Sequence, residues 1–585
     1  MPAGRGVRFR VWAPEAGHVS VVLDGGREIG MEARPEGYVQ ADVPGAAAGM
    51  LYRYRIQSGT VPDPASRFQP QGVHGPSLIV DPHAYRWGDQ GWAGLPLEAL
   101  VFYELHIGTF TPEGTFEGAR RRLGHLRDLG VTAIELMPVG DFPGRWNWGY
   151  DPAAIFAPSR AYGTPDDLRH LVDDAHRLGL AVFLDVVYNH FGPDGAYAVT
   201  LSPRFVSPRQ RTPWGPAISL DGEGSAGVRA FFIENALHWL HEYHVDGLRL
   251  DATHALIDDS PRHFLAEFVA AVRGVDGWPR LLIAEDHRNL NRLLWPEERG
   301  GDGLDAVWSD DYHHQVRRVL TGQDDGYFTD FTSSTRDLAT IIRTGWLFAG
   351  QRSRHFGGPR GTDPAGIPVF RFIHFIQNHD QVGNRPQGDR LIEMIAPAMY
   401  RAISALLLCA PETPLLFMGQ EWAARSPFLY FTDHGATIGA QVTRGRREEF
   451  RAFRGFGGDT PDPQDPQTFE RSRLRWDEMV IEPHSGMLRL YRDLLAWRLT
   501  LRGPEAGRPE FDVASPMEGG IVMRRGRYVV VAALRDNIAL PCPEDAVIVW
   551  QSEDAAYAQE PIPPLRAGAI IRFPVPAALI AQQPG

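Results

Sequence analysis

The amino-acid sequence predicts an α/β protein built on a (β/α)8 TIM barrel, with a β-sandwich before the barrel and an antiparallel β-domain after it. Three observations carry this. The first ~95 residues are short alternating strands separated by turn residues. From residue 98, apolar runs of strand length alternate with helical periodicity. Beyond about residue 490 the helical pattern stops and alternation returns. The expected limits are 1–95 for the sandwich, 96–495 for the barrel and 496–585 for the closing β-domain.

Each element follows from local chemistry. VRFRVWAP, HVSVVLDG, YVQADVP and LYRYRIQ are the sandwich strands, and a Pro/Gly-rich exit around Pro62–Pro76 ends them. Barrel strands are expected at Leu100–Ile107, Val131–Met137, Ala181–Val187, Val245–Leu250, Leu281–Ala284, Leu304–Trp308, Phe370–Ile376 and Pro414–Met418. A helix is expected over Thr115–Leu129, with Phe116, Ala119, Leu123 and Leu126 on one face and Gly130 beyond its end. A second starts at Thr164, with Pro165 at its first position and Asp166 and Asp167 in its first turn. The stretch 190–225 is too long for a simple connection and predicts a small subdomain over the barrel mouth after strand three. The Pro- and Asp-rich segment 440–475 reads as an ordered excursion or a mobile loop. EGGIVMRRGRYVVVAALRD, DAVIVWQS and GAIIRFPVP supply the closing strands.

Bulk properties narrow the function. A length of 585 residues suggests three or four domains, and 43% hydrophobic, 22% charged and 11% aromatic residues describe a folded protein. A formal net charge of −13 argues against nucleic acid or an anionic membrane as partner. Cys409 and Cys542 are the only cysteines, too few for a disulfide framework, which fits a cytoplasmic setting. The N-terminal residues lack a signal-peptide core, and no apolar run is long enough to span a bilayer.

In a barrel of parallel strands, functional side chains collect at the strand C-terminal ends. Strand three ends in DVVYNH, strand four in Arg249 and Asp251, strand five at Glu285, and strand seven at His379 and Asp380. Three acids from three strands therefore meet on one rim, as cleavage of a glycosidic bond through an oxocarbenium-like transition state requires. Arg249 is two residues from Asp251, on the same strand face, so it should keep Asp251 ionised as a nucleophile. Glu285 follows the apolar LLIA and faces other acids, so its pKa should be raised to suit an acid/base. Asp380 is expected to hold sugar hydroxyls and stabilise the transition state. His190 and His379 are expected to donate to sugar hydroxyls, and Tyr150 to stack beneath the ring.

DVVYNH (185–190), GLRLDATH (247–254), IAED (283–286) and FIQNHD (375–380) together resemble the four motifs of the alpha-amylase family of glycoside hydrolases. The resemblance implies retaining chemistry at α-glucosidic bonds, with Asp251 as nucleophile, Glu285 as acid/base and Asp380 as the third carboxylate. Arg249, His190, His379 and Tyr150 match subsite residues, and His254 closes the fourth-strand motif beside them. Further segments, among them YELHIGTFTPEGTF, NWGYDP, RTPWG, NHDQVGNR and LLFMGQEW, are similar to the branch of this family that releases trehalose from maltooligosyl trehalose. That resemblance makes the N-terminal module similar to the sandwich of isoamylases. It implies maltooligosyl trehalose as substrate, trehalose as product, and functional pairing with a maltooligosyl trehalose synthase that prepares the substrate. A glycogen branching or debranching enzyme acting on α-1,6 bonds is the alternative. Trp148 and Trp214 are candidate walls of a slot for trehalose. The sequence departs from the family after Glu285, where Asp286, His287 and Arg288 stand in place of a serine-aspartate type sequence. Asn189 matches a calcium position of many alpha-amylases, but six to eight oxygen ligands cannot be assembled from 190–225. No metal and no cofactor are expected.

Overall fold

The computed structural model describes residues 2–3, 6–451, 460–502 and 511–584. Its centre is a closed barrel of eight parallel strands. In chain order these are β1 (Phe102–Leu105), β2 (Ala133–Leu136), β3 (Ala181–Val186), β4 (Gly247–Leu250), β5 (Leu281–Glu285), β6 (Ala306–Trp308), β7 (Phe372–His374) and β8 (Thr413–Phe417). Each predicted run contains its strand, trimmed at the ends except that β5 reaches Glu285 and β8 begins one residue early.

Strand periodicity explains how the barrel fills. Phe102, Ala133, Ala181, Phe183, Ile283, Ala306, Trp308, Ile373 and Leu415 form one apolar cluster inside the barrel. The same parity, carried toward the strand C-termini, turns Glu104, Glu135, Asp185, Arg249 and Glu285 inward as well. The interior is therefore apolar at the bottom and charged at the mouth. Gly247 opens β4 because a Cβ there would lie 2.4 Å from the Phe183 ring and 2.2 Å from the Leu281 carbonyl. The opposite parity, including Tyr103, Ile134, Leu136, Val182 and Leu184, packs under the surrounding helices.

Two helical expectations resolve differently. Thr164 caps Pro165–Arg177 with a full capping box to Asp167, as its sequence predicts. The run 115–129 breaks into Phe116–Arg120 and Leu123–Leu129, with Thr115 capping the first and Gly130 at φ 102° ending the second. Gly118 and Gly124 weaken that run enough for a kink to win.

The insertion after β3 folds as a small subdomain whose main feature is a hairpin, Val206–Thr212 with Gly215–Ile218. The described part of 440–475 is largely helical, in Ala436–Arg451 and Pro466–Arg471, while 452–459 lie outside the described residues. Before the barrel, a four-stranded and a five-stranded sheet enclose their own core around Phe9, Val21, Val43 and Tyr54. After it, a five-stranded antiparallel sheet, Phe511–Ala514 through Val547–Gln551, packs with a two-stranded one. Among the described residues, no helix is long and apolar enough to cross a membrane.

Candidate active site

Arg249 organises the barrel mouth. It is fully buried, and its guanidinium lies 4.3 Å from the centre of the Trp308 ring, at the end of β6. Nη1 donates to Asp185 at 2.7 Å and to Asp251 at 2.9 Å, and Nη2 is 2.9 Å from Glu285. One planar cation thus touches three carboxylates from three strands, a task its fork geometry suits. The register dictates the reach: Arg249 pairs with Asp185 across β3 and β4 and with Ile283 across β4 and β5, two residues short of Glu285.

The shifts of the Asp251 and Glu285 carboxyls run opposite to the expected ones. Burial pushes the Asp251 carboxyl well above its usual range against the pull of Arg249, and the charges of Glu285, Asp185 and Asp380 add to the rise. Burial also acts on Glu285, yet Arg249, the Ala252 amide and two histidines together hold it below its usual value. The Ala252 N–H donates to Glu285 Oε2 at 2.8 Å. It can do so because Ala252 takes a left-handed conformation, φ 41°, immediately after Asp251. The sequence places Glu285 after an apolar run; only the structure brings an amide and the arginine to it.

Asp380 stands on the short helix His379–Gly383, capped by Asn378, and its Oδ1 accepts from Asn384 at 3.0 Å. Burial, with Glu285 and Glu104 nearby, raises its carboxyl despite His379. His379 is anchored through its amide and ring to Glu104 on β1, and its Nε2 is 3.5 Å from Asp380. Burial opposes its charge, but Asp380 and Glu104 raise its pKa to about 9, so it is an imidazolium at neutral pH. Tyr150 donates to Asp185, and its ring lies 5.1 Å from that of His379.

The remaining candidates divide. Trp214, on the insertion hairpin, is 47% exposed and stacks on His190 at 5.5 Å, at the rim. His254 faces His287 at 4.2 Å, with its Nδ1 buried and unpartnered. His190 has its ring nitrogens 3.1 Å from Asn189 Oδ1 and 3.0 Å from the Tyr150 carbonyl, contacts that fix the Tyr150 loop. Trp148 is 3% exposed, donates to the Leu429 carbonyl and meets His379 edge-on, so it backs the site as core and lines no open slot. The departure after Glu285 also has a structural role. Asp286 turns inward to Thr253 at 2.9 Å and to Arg288, leaving His287 facing out. Asn189 is buried with its Oδ1 on His190, and no group of three or more His, Cys, Asp or Glu that could hold a metal occurs among the described residues.

The chain is similar to known proteins over most of its length. Residues 1–84 match the carbohydrate-binding module 48 (isoamylase N-terminal domain) model, and 79–202 the alpha-amylase catalytic domain model. A crystal structure of a Salmonella typhimurium protein described as an alpha amylase superposes with a TM-score of 0.89 at 38% identity, covering 99% of this chain and 98% of that one. A malto-oligosyltrehalose trehalohydrolase of Deinococcus radiodurans is 44% identical over 85% of this chain and 82% of its own. Another, from Rhizobium sp. strain M-11, is 41% identical over 96% and 97%. The chain belongs to the malto-oligosyltrehalose trehalohydrolases. It is an alpha-amylase-family enzyme, as the four motifs imply.

Sequence reasoning missed a second group in this family member. Asp310 follows β6, and burial with Glu285 nearby raises its carboxyl to about 8. Its position, just past a strand end in VWSD, is the signal that found the other acids. His314, Tyr327 and Phe356 gather beside it around a cavity. They come from a helix, a 3-10 turn and a long loop, so no shared motif links them.

Proposed function

We propose that the chain hydrolyses the α-1,4-glucosidic bond joining trehalose to the end of a maltooligosyl chain, releasing trehalose and a maltooligosaccharide by retaining double displacement. Asp251 is the nucleophile, Glu285 the acid/base and Asp380 the carboxylate that stabilises the transition state. The observation that carries this is the single guanidinium of Arg249, which holds Asp251 Oδ1 and Glu285 Oε2 each at 2.9 Å on its two terminal nitrogens. Two carboxylates so near each other suit the close spacing, about 5–5.5 Å, of retaining enzymes.

Burial raises the Asp251 carboxyl while Arg249 and the Ala252 amide lower that of Glu285, and the coupled carboxylates titrate as a set, so substrate has to favour the proton on Glu285. A glycosidic oxygen accepting from Glu285 stabilises that residue's protonated form, and positive charge developing at the anomeric carbon stabilises Asp251 as the anion. Asp251 then attacks the anomeric carbon while Glu285 protonates the departing trehalose. In the second step Glu285 takes a proton from water, whose oxygen displaces Asp251. His379, Arg249 and Tyr150 bind around the attacked sugar; Trp214 and His254 line its approach.

We also propose the domain limits read from the sequence, a cytoplasmic location supported by two unpaired buried cysteines, and action downstream of a maltooligosyl trehalose synthase. Chromatography of products from maltopentaose and maltotriosyl trehalose tests the reading. Free trehalose from the second with little cleavage of the first is expected. Activity confined to branched glucan would replace the reading with a branching or debranching one.

A further inference from the structure

Glu135 is an acid inside the barrel that the reaction steps leave unused. On β2 it pairs in register with Glu104 on β1, with both side chains turned inward, and it is 1% exposed. Two carboxylates at one level of a buried barrel do not both ionise unless each has its own cation. Glu104 has one, since its Oε1 meets the His379 imidazolium and its Oε2 accepts from the His379 amide. Neither oxygen of Glu135 has a hydrogen-bond partner. Burial raises its carboxyl well above the usual range, with Glu104 and Asp185 adding to the rise against the pull of Arg249 and His379. The side chain is therefore a neutral acid at neutral pH, and its hydroxyl calls for an acceptor.

The charged groups that face Glu135 single out that acceptor. They are Glu104 on β1, Asp185 on β3, Arg249 on β4 and His379 past β7. Arg249 and the charged His379 can only donate. Glu104 already has both oxygens on His379. Asp185 Oδ2 accepts from Arg249 Nη1 at 2.7 Å and from Tyr150, whereas its Oδ1 is buried without a partner. Glu135 pairs with Phe183, so Asp185 stands two residues further along β3 on the same inward face. Strand rise and spacing put the two Cα atoms about 8 Å apart, within the joint reach of a glutamate and an aspartate.

We propose that Glu135 is a positioning residue, a neutral acid whose O–H donates to Asp185 Oδ1 and so holds the carboxylate on which Arg249 and Tyr150 rest. Its consequence for catalysis rests on the proposed function, in which Asp251 must attack as the anion. Asp251 is faced by Arg249, Glu285, Asp185 and Asp380. A donor on Oδ1 offsets part of the negative charge that Asp185 presents to Asp251, which favours the ionised nucleophile. An ionised Glu135 would act in the opposite sense, adding a negative charge beside Glu104 and competing for Arg249.

The test compares wild type with Glu135→Gln and Glu135→Leu. Glutamine keeps a neutral donor in the same place, and leucine keeps the bulk but removes the donor. On maltotriosyl trehalose, Glu135→Gln should retain most of the wild-type kcat/KM and the wild-type pH profile. Glu135→Leu should lose about tenfold or more in kcat/KM, the cost of leaving a buried acceptor unpaired. Its acid limb should also move to higher pH, because Asp251 is then harder to ionise. Packing damage alone would lower activity without moving that limb.

A second readout needs no substrate. The infrared difference spectrum of wild type against Glu135→Gln at neutral pH should show a protonated-carboxyl C=O band in the wild type alone. Absence of that band would overturn the proposal, as would a Glu135→Gln variant as impaired as Glu135→Leu, or a Glu135→Leu variant with the wild-type rate and limb. Where the leucine variant does not fold, the glutamine variant and the band decide. A wild-type enzyme that releases no trehalose would instead defeat the proposed function alone, because the band is read without the reaction.

Discussion

His379 is where residue chemistry sets a pH limit. Its imidazolium faces Asp380 and rests on Glu104, and its pKa of about 9 stands above the unfolded value of about 6.5. Because the folded pKa is the higher one, the stability it contributes is complete below about pH 6.5 and is lost as pH rises through about 9. Loss of that proton also removes the positive charge beside Asp380, so kcat/KM on maltotriosyl trehalose should fall on an alkaline limb near 9. His379→Asn should lower activity and abolish that limb, and the stability gap between variant and wild type should narrow as pH rises through the same range. An unchanged limb in the variant would assign it to another group. That these residues gather was legible in the sequence, because strand ends in a parallel barrel point to one mouth. Their protonation was not. Arg249 reads as the partner of Asp251 because they are two apart, whereas its contact with Glu285 depends on β4–β5 register and that of Ala252 on a left-handed residue.

At the scale of elements, placement depends on close approaches that strand and helix patterns do not encode. The short helix His379–Gly383 carries Asp380, and a Cβ at Gly383 would meet the Trp148 indole at 2.1 Å and the Phe428 ring at 3.3 Å. Trp148 cannot yield easily, since it stacks on Phe428 at 5.0 Å and donates to the Leu429 carbonyl. Gly383→Ala should therefore displace the helix and the Asp380 carboxylate with it. A misplacement near 1 Å is enough to cost about 10²-fold in rate, so kcat should drop by ten- to a hundredfold while the far-ultraviolet circular dichroism stays native. A variant with wild-type kcat would mean that the helix accommodates the methyl without moving its acid. The eight strands could be placed from apolar runs alone, since each is short, buried and flanked by turn residues. The break in 115–129 and the helices within 440–475 could not, because apolar periodicity alone does not weigh the two glycines of the first or the Pro- and Asp-rich composition of the second.

At the scale of the molecule, the sequence predicts a barrel with a β-domain on each side but not how the three are joined. The joints include ion pairs and hydrogen bonds between distant segments. Arg67 in the exit from the sandwich pairs with Glu242 on the helix before β4, and Thr335 on a barrel helix accepts from the Gly519 amide of the closing sheet at 3.0 Å. The more buried of the two ion pairs is Arg401 on Pro397–Cys409 with Glu553, just past the strand Val547–Gln551, with side chains 8% and 2% exposed. The fork is bidentate, with Nε 2.9 Å from Oε1 and Nη2 on Oε2, and Ser552 donates to Oε1 at 3.0 Å. A buried pair is expensive to break and cheap to replace, because the cost of removing one partner is the unpaired charge left behind. Arg401→Met should thus destabilise the protein by about 3–5 kcal/mol, read as a lower urea midpoint for the phase that reports on the closing sheet. Arg401→Met with Glu553→Met should recover most of that loss, since the apolar pair carries no unpaired charge. Glu553 lies outside every side chain proposed for chemistry, so trehalose release should persist in the double variant. Equal losses in the single and double variants would mean that shape, and not charge pairing, holds the β-domain to the barrel.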